Sequence, residues 1–301
     1  MSADLERAFV EACLLDVMAL KPGNVGLHAG GHGMQPVDFV RSAEAAAPAL
    51  TRPAATVGER IHRAIVATHA AVGTNTNLGI VLLAAPVAHA AAGPPGREAL
   101  VRRLRDCLAS LTVADARLAF EAIRLARPGG LGTADRHDVY APARVSLLDA
   151  MREAADRDLI ARQYANGYAD VVGTGLARLA AARARGRDWR WTTTEVYLAF
   201  LARHPDSHVA RKAGTEAAAA LRGESVARDR AAVRATDLTA AAKRLIEWDG
   251  ELKARGLNPG TSADLTVATL FLAFLSDEAS DYAHRGQRRG AGERVGALPT
   301  G

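Results

Sequence analysis

Apolar residues recur at three- and four-residue spacing along nearly the whole chain, the repeat of one helix face. Residues 3–20 set the pattern, with Leu5, Phe9, Ala12, Cys13, Val17 and Leu20 in register. The same spacing predicts helices over about 57–72, 78–92, 97–110, 113–127, 144–164, 166–185, 192–203, 207–221, 236–255 and 263–276. Strand-like alternation is sustained nowhere. The best strand candidate, Trp189 to Trp191 with Thr192 to Thr194, reads better as a helix cap before Glu195. The expected fold is therefore all-α: one compact multi-helix domain over 1–283, with a buried central helix near its C-terminal end. Residues 284–301, rich in glycine and arginine, read as a disordered tail.

Composition sharpens this picture. Half of the 301 residues are apolar, yet only 5% are aromatic, and 66 are alanine, the best helix former and a poor strand former. Cys13 and Cys107 are too few for a disulfide scaffold or a Cys-rich zinc module and suit a reducing compartment. The pI near 9.5 raises the question of nucleic acid. However, the last 18 residues carry +3 of the net +5. Elsewhere arginines alternate with acids, with no basic stripe and no interleaved aromatics to stack on bases. The longest apolar stretch, Ile80 to Ala92, contains Pro86 and His89 and falls short of the roughly 20 residues that span a bilayer. Acidic residues interrupt any leader-like run at the N-terminus. The expectation is a cytoplasmic protein with small-molecule partners, no nucleic acid and no membrane, and with scope for homo-oligomers.

Four Gly/Asn/Pro clusters break the helical pattern: KPGNVGLHAGGHG (21–33), GTNTNLG (73–79), PGGLGTADRHDV (128–139) and NPGTSADL (258–265). Each precedes a helix or fills a long turn, where unpaired N–H groups and the helix dipole favour anions. Glycine lets the backbone approach a ligand. Turns need the same residues, so any one cluster could be a mere connection. Four such connections, so polar and so long, exceed what a helical bundle uses.

Within them, Asp264 is expected in the first turn of the most apolar helix, where the dipole would keep it ionised. It would serve as a carboxylate for Mg²⁺ or for proton abstraction, or else as the acid of a Thr261-x-x-Asp264 capping box. Asn75, Thr76 and Asn77 precede a second apolar helix and outnumber the needs of one cap. Asp135, Arg136, His137 and Asp138 offer acid/base groups or a solvated ion-pair loop. Lys21 at a Gly-rich turn suits a phosphate or the helix C-terminus. His28 and His32, like His204 and His208, are four apart, but neither pair lies on a helix face suited to zinc. Asp170 reads equally as a site residue or a satisfied buried acid.

These clusters, in this order, resemble the triphosphoribosyl-dephospho-CoA synthase family, which makes the prosthetic-group precursor of citrate lyase and malonate decarboxylase. The resemblance spans about residues 5–278. Its anchors are KPGNV, GTNTNLGIVLL and, most specific, PGTSADLTVATLFL. It implies an all-helical fold and transfer of the 5-triphosphoribosyl group of ATP to the 2′-hydroxyl of 3′-dephospho-CoA, with release of adenine. It also implies ATP and Mg²⁺ at the site. Asp264, Asp138, His137 and Asp135 would be catalytic, with Asp264 and Asp138 on the metal. Lys21, Gly23, Asn24, His32, Asn75, Thr76, Asn77, Gly79, Asn258, Gly260 and Ser262 would bind substrate.

The chain departs from the family pattern within the motifs. Asn77 and Leu78 replace a His-Lys pair, and Val25-Gly26 replaces Val-Asp. Met34 and Asp38 are what remains of Asp-Met-Asp, and Gly260-Thr261-Ser262 stands for Gly-Gly-Ser. A branch using another phosphorylated acceptor, in methanopterin-type one-carbon carrier synthesis, would share these residues. So would a Mg²⁺-dependent ribosyl-bond hydrolase, while a helical binding protein without chemistry would not need the polar turns. The absence of GxxxxGK[ST] argues against a P-loop nucleotidase.

Overall fold

The computed structural model describes residues 2–27, 30 and 33–276. His32 and the tail 284–301 lie outside the described residues. Among those described, fourteen α-helices and no strand account for the architecture. The first seven are α1 (Ser2–Met18), α2 (Pro36–Leu50), α3 (Val57–Val72), α4 (Leu78–Ala90), α5 (Arg97–Ala109), α6 (Val113–Ala126) and α7 (Leu147–Ala154). Then come α8 (Leu159–Asn166), a π turn (Val171–Gly175) running into α9 (Leu176–Ala184), and α10 (Trp189–Arg203). α11 (Ser207–Ala213), α12 (Thr215–Arg234), α13 (Leu238–Ala254) and α14 (Gly260–Leu275) complete the chain.

The expected central helix is there. α14 is buried almost throughout from Thr261 to Ala273 and packs against α1, α4 and α10. It joins two apolar clusters. The larger draws on α1 to α9 and α14, with Phe9 edge-on to Phe271 at 5.6 Å between ring centroids. The smaller gathers Tyr197, Leu221, Trp248 and Leu257 around α10 to α13. Thr266 and Thr269 bury their hydroxyls by donating to the Ser262 and Leu265 carbonyls one turn back, so the run stays apolar to its neighbours.

Several boundaries differ from the sequence expectation, each for a local reason. α2 was not foreseen, because prolines flank its alanines. Pro36 is harmless in the first turn, and a Gln35–Asp38 capping box starts the helix. The expected helix 144–164 is two, since Asp158 accepts from the Ile160 and Ala161 amides and starts α8 afresh. Gly214, at φ +95°, likewise parts α11 from α12. α10 begins at Trp189, capped by Asp188, so Thr192 to Thr194 are buried helical residues, not the cap. Pro86 sits inside α4 and cannot donate to the Leu82 carbonyl, four residues back. The Tyr164 hydroxyl donates to that carbonyl instead, at 2.6 Å, and Tyr168 donates to the Leu83 carbonyl at 2.8 Å.

Candidate functional site

α1, α4 and α14 meet where the first, second and fourth polar clusters lie. Asp16, near the end of α1, is buried and ion-paired with Lys21. Lys21 also donates to Asn24 Oδ1 at 2.7 Å, and Asn24 Nδ2 donates to Asn258 Oδ1 at 2.8 Å. Gly23 fits this knot for a steric reason. At φ +83° its amide donates to Asp249, and a Cβ there would lie 2.9 Å from both the Leu257 carbonyl oxygen and Pro259 Cδ.

The knot closes one end of a cavity of about 760 Å³, within the range of about 300–1,000 Å³ usual for small-molecule sites. All four clusters reach it. Asn24, Asn75, Thr76, Gly79, His137, Asp138, Asn258, Gly260 and Asp264 line its wall. Lys21 and Gly23 stand behind Asn24. Asn77 is buried and turned to packing, donating to Thr68 Oγ1 at 3.0 Å. Ser262 is buried too, its amide and hydroxyl donating to Asp206 at 2.7 and 2.8 Å. Asp135 is exposed and stands outside the cavity lining.

Asp264 lines the cavity beside Gly79, and three expectations about it are corrected. α14 begins at Gly260, so Asp264 falls in the second turn and takes no part in a capping box. The start of α14 is held from another helix, by Asp206 of the α10–α11 turn. Nor is the carboxyl kept ionised by the dipole. Burial, with Asp206 and Asp16 nearby, raises its pKa well above the ordinary 3.8. Asp264 accepts no hydrogen bond from any described residue, and it lies against the backbone of α4. A Cβ on Gly79 would come within 2.0 Å of its Oδ2, so only glycine leaves room for the carboxyl.

Asp138 behaves oppositely. Its two oxygens accept from the Ala134 and Tyr140 amides at 2.6 and 2.7 Å, which lowers its pKa. It folds the long α6–α7 loop, where His137 takes φ +52°. Among the described residues no group of three His, Cys, Asp or Glu side chains converges as a metal nest, and Asp264 and Asp138 form none. The Asn75 side chain accepts at Oδ1 from the Leu78 amide at 3.1 Å, starting α4, and Thr76 shares a 2.5 Å hydrogen bond with Ser42.

Further residues complete the lining, and of these only Arg136 and His208 stand out in the sequence. Arg127, Arg136, Arg157, Arg211 and Lys212 bring five cations to the cavity. His208 is there as well, close enough to Gly260 that a Cβ would lie 2.3 Å from its Nδ1. Arg211 and Lys212 sit on a short helix and signal nothing by spacing. Asp16 looked like one polar residue on the face of an amphipathic helix. Its Oδ1 is buried without a hydrogen-bond partner, a cue available only in three dimensions.

Comparison with known proteins identifies the family. The family model for ATP:dephospho-CoA triphosphoribosyl transferases (CitG) matches residues 2–282. A relative from Stutzerimonas stutzeri, described as a 2-(5″-triphosphoribosyl)-3′-dephosphocoenzyme-A synthase, is 28% identical over 159 residues. That match takes in 52% of this chain and 50% of the relative, so the chain spans about half the relative's length. A crystal structure from Archaeoglobus fulgidus, described as a triphosphoribosyl-dephospho-CoA synthase, superposes with a TM-score of 0.61 at 25% identity. It covers 78% of this chain and 97% of its own.

Proposed function

The chain belongs to the CitG family of ATP:dephospho-CoA triphosphoribosyl transferases, and from that premise we propose that it joins C1′ of the ATP ribose to the 2′-hydroxyl of 3′-dephospho-CoA. The observation that carries the reading is one cavity lined by the buried Asp16 and the half-buried Asp264 together with five cations. Two polyphosphorylated substrates need such cations, and a displacement at an anomeric carbon needs such carboxyls.

In the reaction the C1′–N9 bond breaks, a C1′–O bond forms, and one proton passes from the acceptor hydroxyl to the departing adenine. The two carboxyls differ in the way that separates acid from base. Asp264 lacks a bonded cation and holds its proton to higher pH, so it is the group to protonate adenine as it leaves. Burial raises the Asp16 pKa as well, but the pair with Lys21 draws it back, so Asp16 ionises more readily than Asp264, which suits it to offset positive charge building on the ribose and to receive the hydroxyl proton. Mg²⁺ is assigned to the triphosphate as its counter-ion, with one or two protein carboxylates at most. No step of the proton transfer is routed through it.

Incubating the protein with ATP, Mg²⁺ and 3′-dephospho-CoA tests the proposal. Mass spectrometry should find free adenine together with an adduct whose mass is that of both substrates less adenine. Adenine accompanied by free ribose triphosphate would mark a hydrolase and overturn the reading. Full recovery of both substrates would overturn it too.

A further inference from the structure

We propose that residues 128–132, with Arg127 at the end of α6 and Arg211 and Lys212 on α11, form a subsite for a polyphosphate chain. The inference rests on the transferase reading of the same cavity and fixes which end of the substrate lies where. The α11 residues ride directly on the glycine loop. A Cβ on Gly129 would meet Lys212 Cε at 2.8 Å, and one on Gly130 would meet the Arg211 carbonyl oxygen at 2.8 Å. Gly130 and Gly132 turn the loop at φ +73° and +65°.

The amides of residues 129–133 donate to no described residue. A run of N–H groups with no protein acceptor, three of them on Gly129, Gly130 and Gly132 where no Cβ intervenes, is what an anion needs from a backbone. Arg127 adds a second cue. It takes the left-handed conformation that closes α6, at φ +47°, a place where glycine is the usual residue. The chain keeps a guanidinium at the cavity there in spite of the strain.

Basic residues in the last turn of a helix can simply answer its dipole, but the charge balance here goes further. The cavity is lined by four acids, Asp16, Asp138, Asp158 and Asp264. Asp158 binds Arg211 at 2.6 Å and caps α8, while Asp138 is spent on backbone amides. Arg127 and Lys212 have no acidic partner among the described residues. Phosphates are thus held at the loop, while the Asp16–Lys21 pair and the proton-holding Asp264 offer them no free cation, which leaves the ribose for the carboxyls. ATP and dephospho-CoA both carry a polyphosphate, and the chemistry of the subsite is the same for either.

Calorimetric titration of the full chain with inorganic tripolyphosphate tests the subsite without any turnover. Lys212→Ala and Arg127→Ala should each weaken binding about tenfold, the worth of one charge-assisted hydrogen bond, with melting temperatures unchanged. Lys212→Arg should restore most of the affinity. In steady state the same variants should raise KM for one substrate with kcat held within about twofold. The substrate against which tripolyphosphate competes identifies whose phosphates lie there. Undetectable binding to the parent chain, or equal binding by parent and both variants, would overturn the subsite. If tripolyphosphate binds and the variants weaken it while no adduct forms from ATP and dephospho-CoA, the subsite stands and the transferase reading falls.

Discussion

At one end of the cavity Asp16, Lys21, Asn24 and Asn258 are bonded to one another, whereas at the other Arg127 and Lys212 have no acidic partner among the described residues. The first end is built with the fold and held by α1, α4 and α14. The second is a loop and a two-turn helix that leave Arg127 and Lys212 free to take up a ligand, beside an Arg211 already paired with Asp158. Chemistry that depends on the position of a proton gains from the first arrangement. Binding of a flexible polyanion gains from the second. Substitutions should therefore cost catalysis or folding at the acid end, and affinity at the cationic end.

The sharpest test is Asp264→Asn, which keeps the shape and removes the proton. Transfer activity should fall about a thousandfold, within the usual range for a lost general acid. Stability should move the other way. The unfolded chain releases this proton near 3.8 and the folded chain only at higher pH. The folded state therefore binds more protons between those values, and the parent loses stability as pH rises through that window. The variant should lack that decline and melt above the parent at pH 8, as differential scanning calorimetry would read. Lower stability at every pH would show that the carboxyl belongs to the structural knot.

Asp16→Asn should do the reverse. It strands the Lys21 ammonium in the interior, and breaking such a pair costs about 3–5 kcal/mol, measurable by urea unfolding. A loss below about 1 kcal/mol would mean that the knot is not what holds α1 to the loop. Gly79→Ala comes next. Its methyl must displace the Asp264 carboxyl or Ile160, an overpacking worth about 1–3 kcal/mol, and activity should fall with it. Asp135→Asn, exposed and outside the cavity, should change stability by no more than about 0.5 kcal/mol and leave turnover at the parent rate. A marked loss there would extend the reactive end to the α6–α7 loop and erase the contrast.

The fold was largely legible because alanine content and a 3.6-residue repeat are local properties. α14 announced itself by an apolar run no surface helix could carry. α2 hid behind its prolines. The site was legible as clusters but not as roles. Asn24, Asn75 and Asp264 stood out by type, and the fold brings them to one wall. Lys21 looked like a phosphate ligand because its partner, Asp16, is an ordinary position in a helical pattern. Ser262 and Asn77 looked available because what occupies them, Asp206 and Thr68, is supplied from other helices. Arg211 and Lys212 were invisible for the converse reason: their meaning comes from a glycine loop some 80 residues earlier in the chain.

The bond between Tyr164 and the Leu82 carbonyl bears on the order in which the molecule assembles. Pro86 leaves α4 unable to complete its own ladder, and the missing partner arrives 82 residues later. The C-terminal half of α4 therefore gains its full stability only after a long loop has closed, which places it outside any local nucleus and raises the separation of contacts that must form. On a ribosome the segment stays incompletely bonded until α8 has emerged. The turn of α4 that carries Leu82, itself in the cavity lining, is thus set by a late event, and Tyr164→Phe should slow refolding more visibly than it alters the finished site.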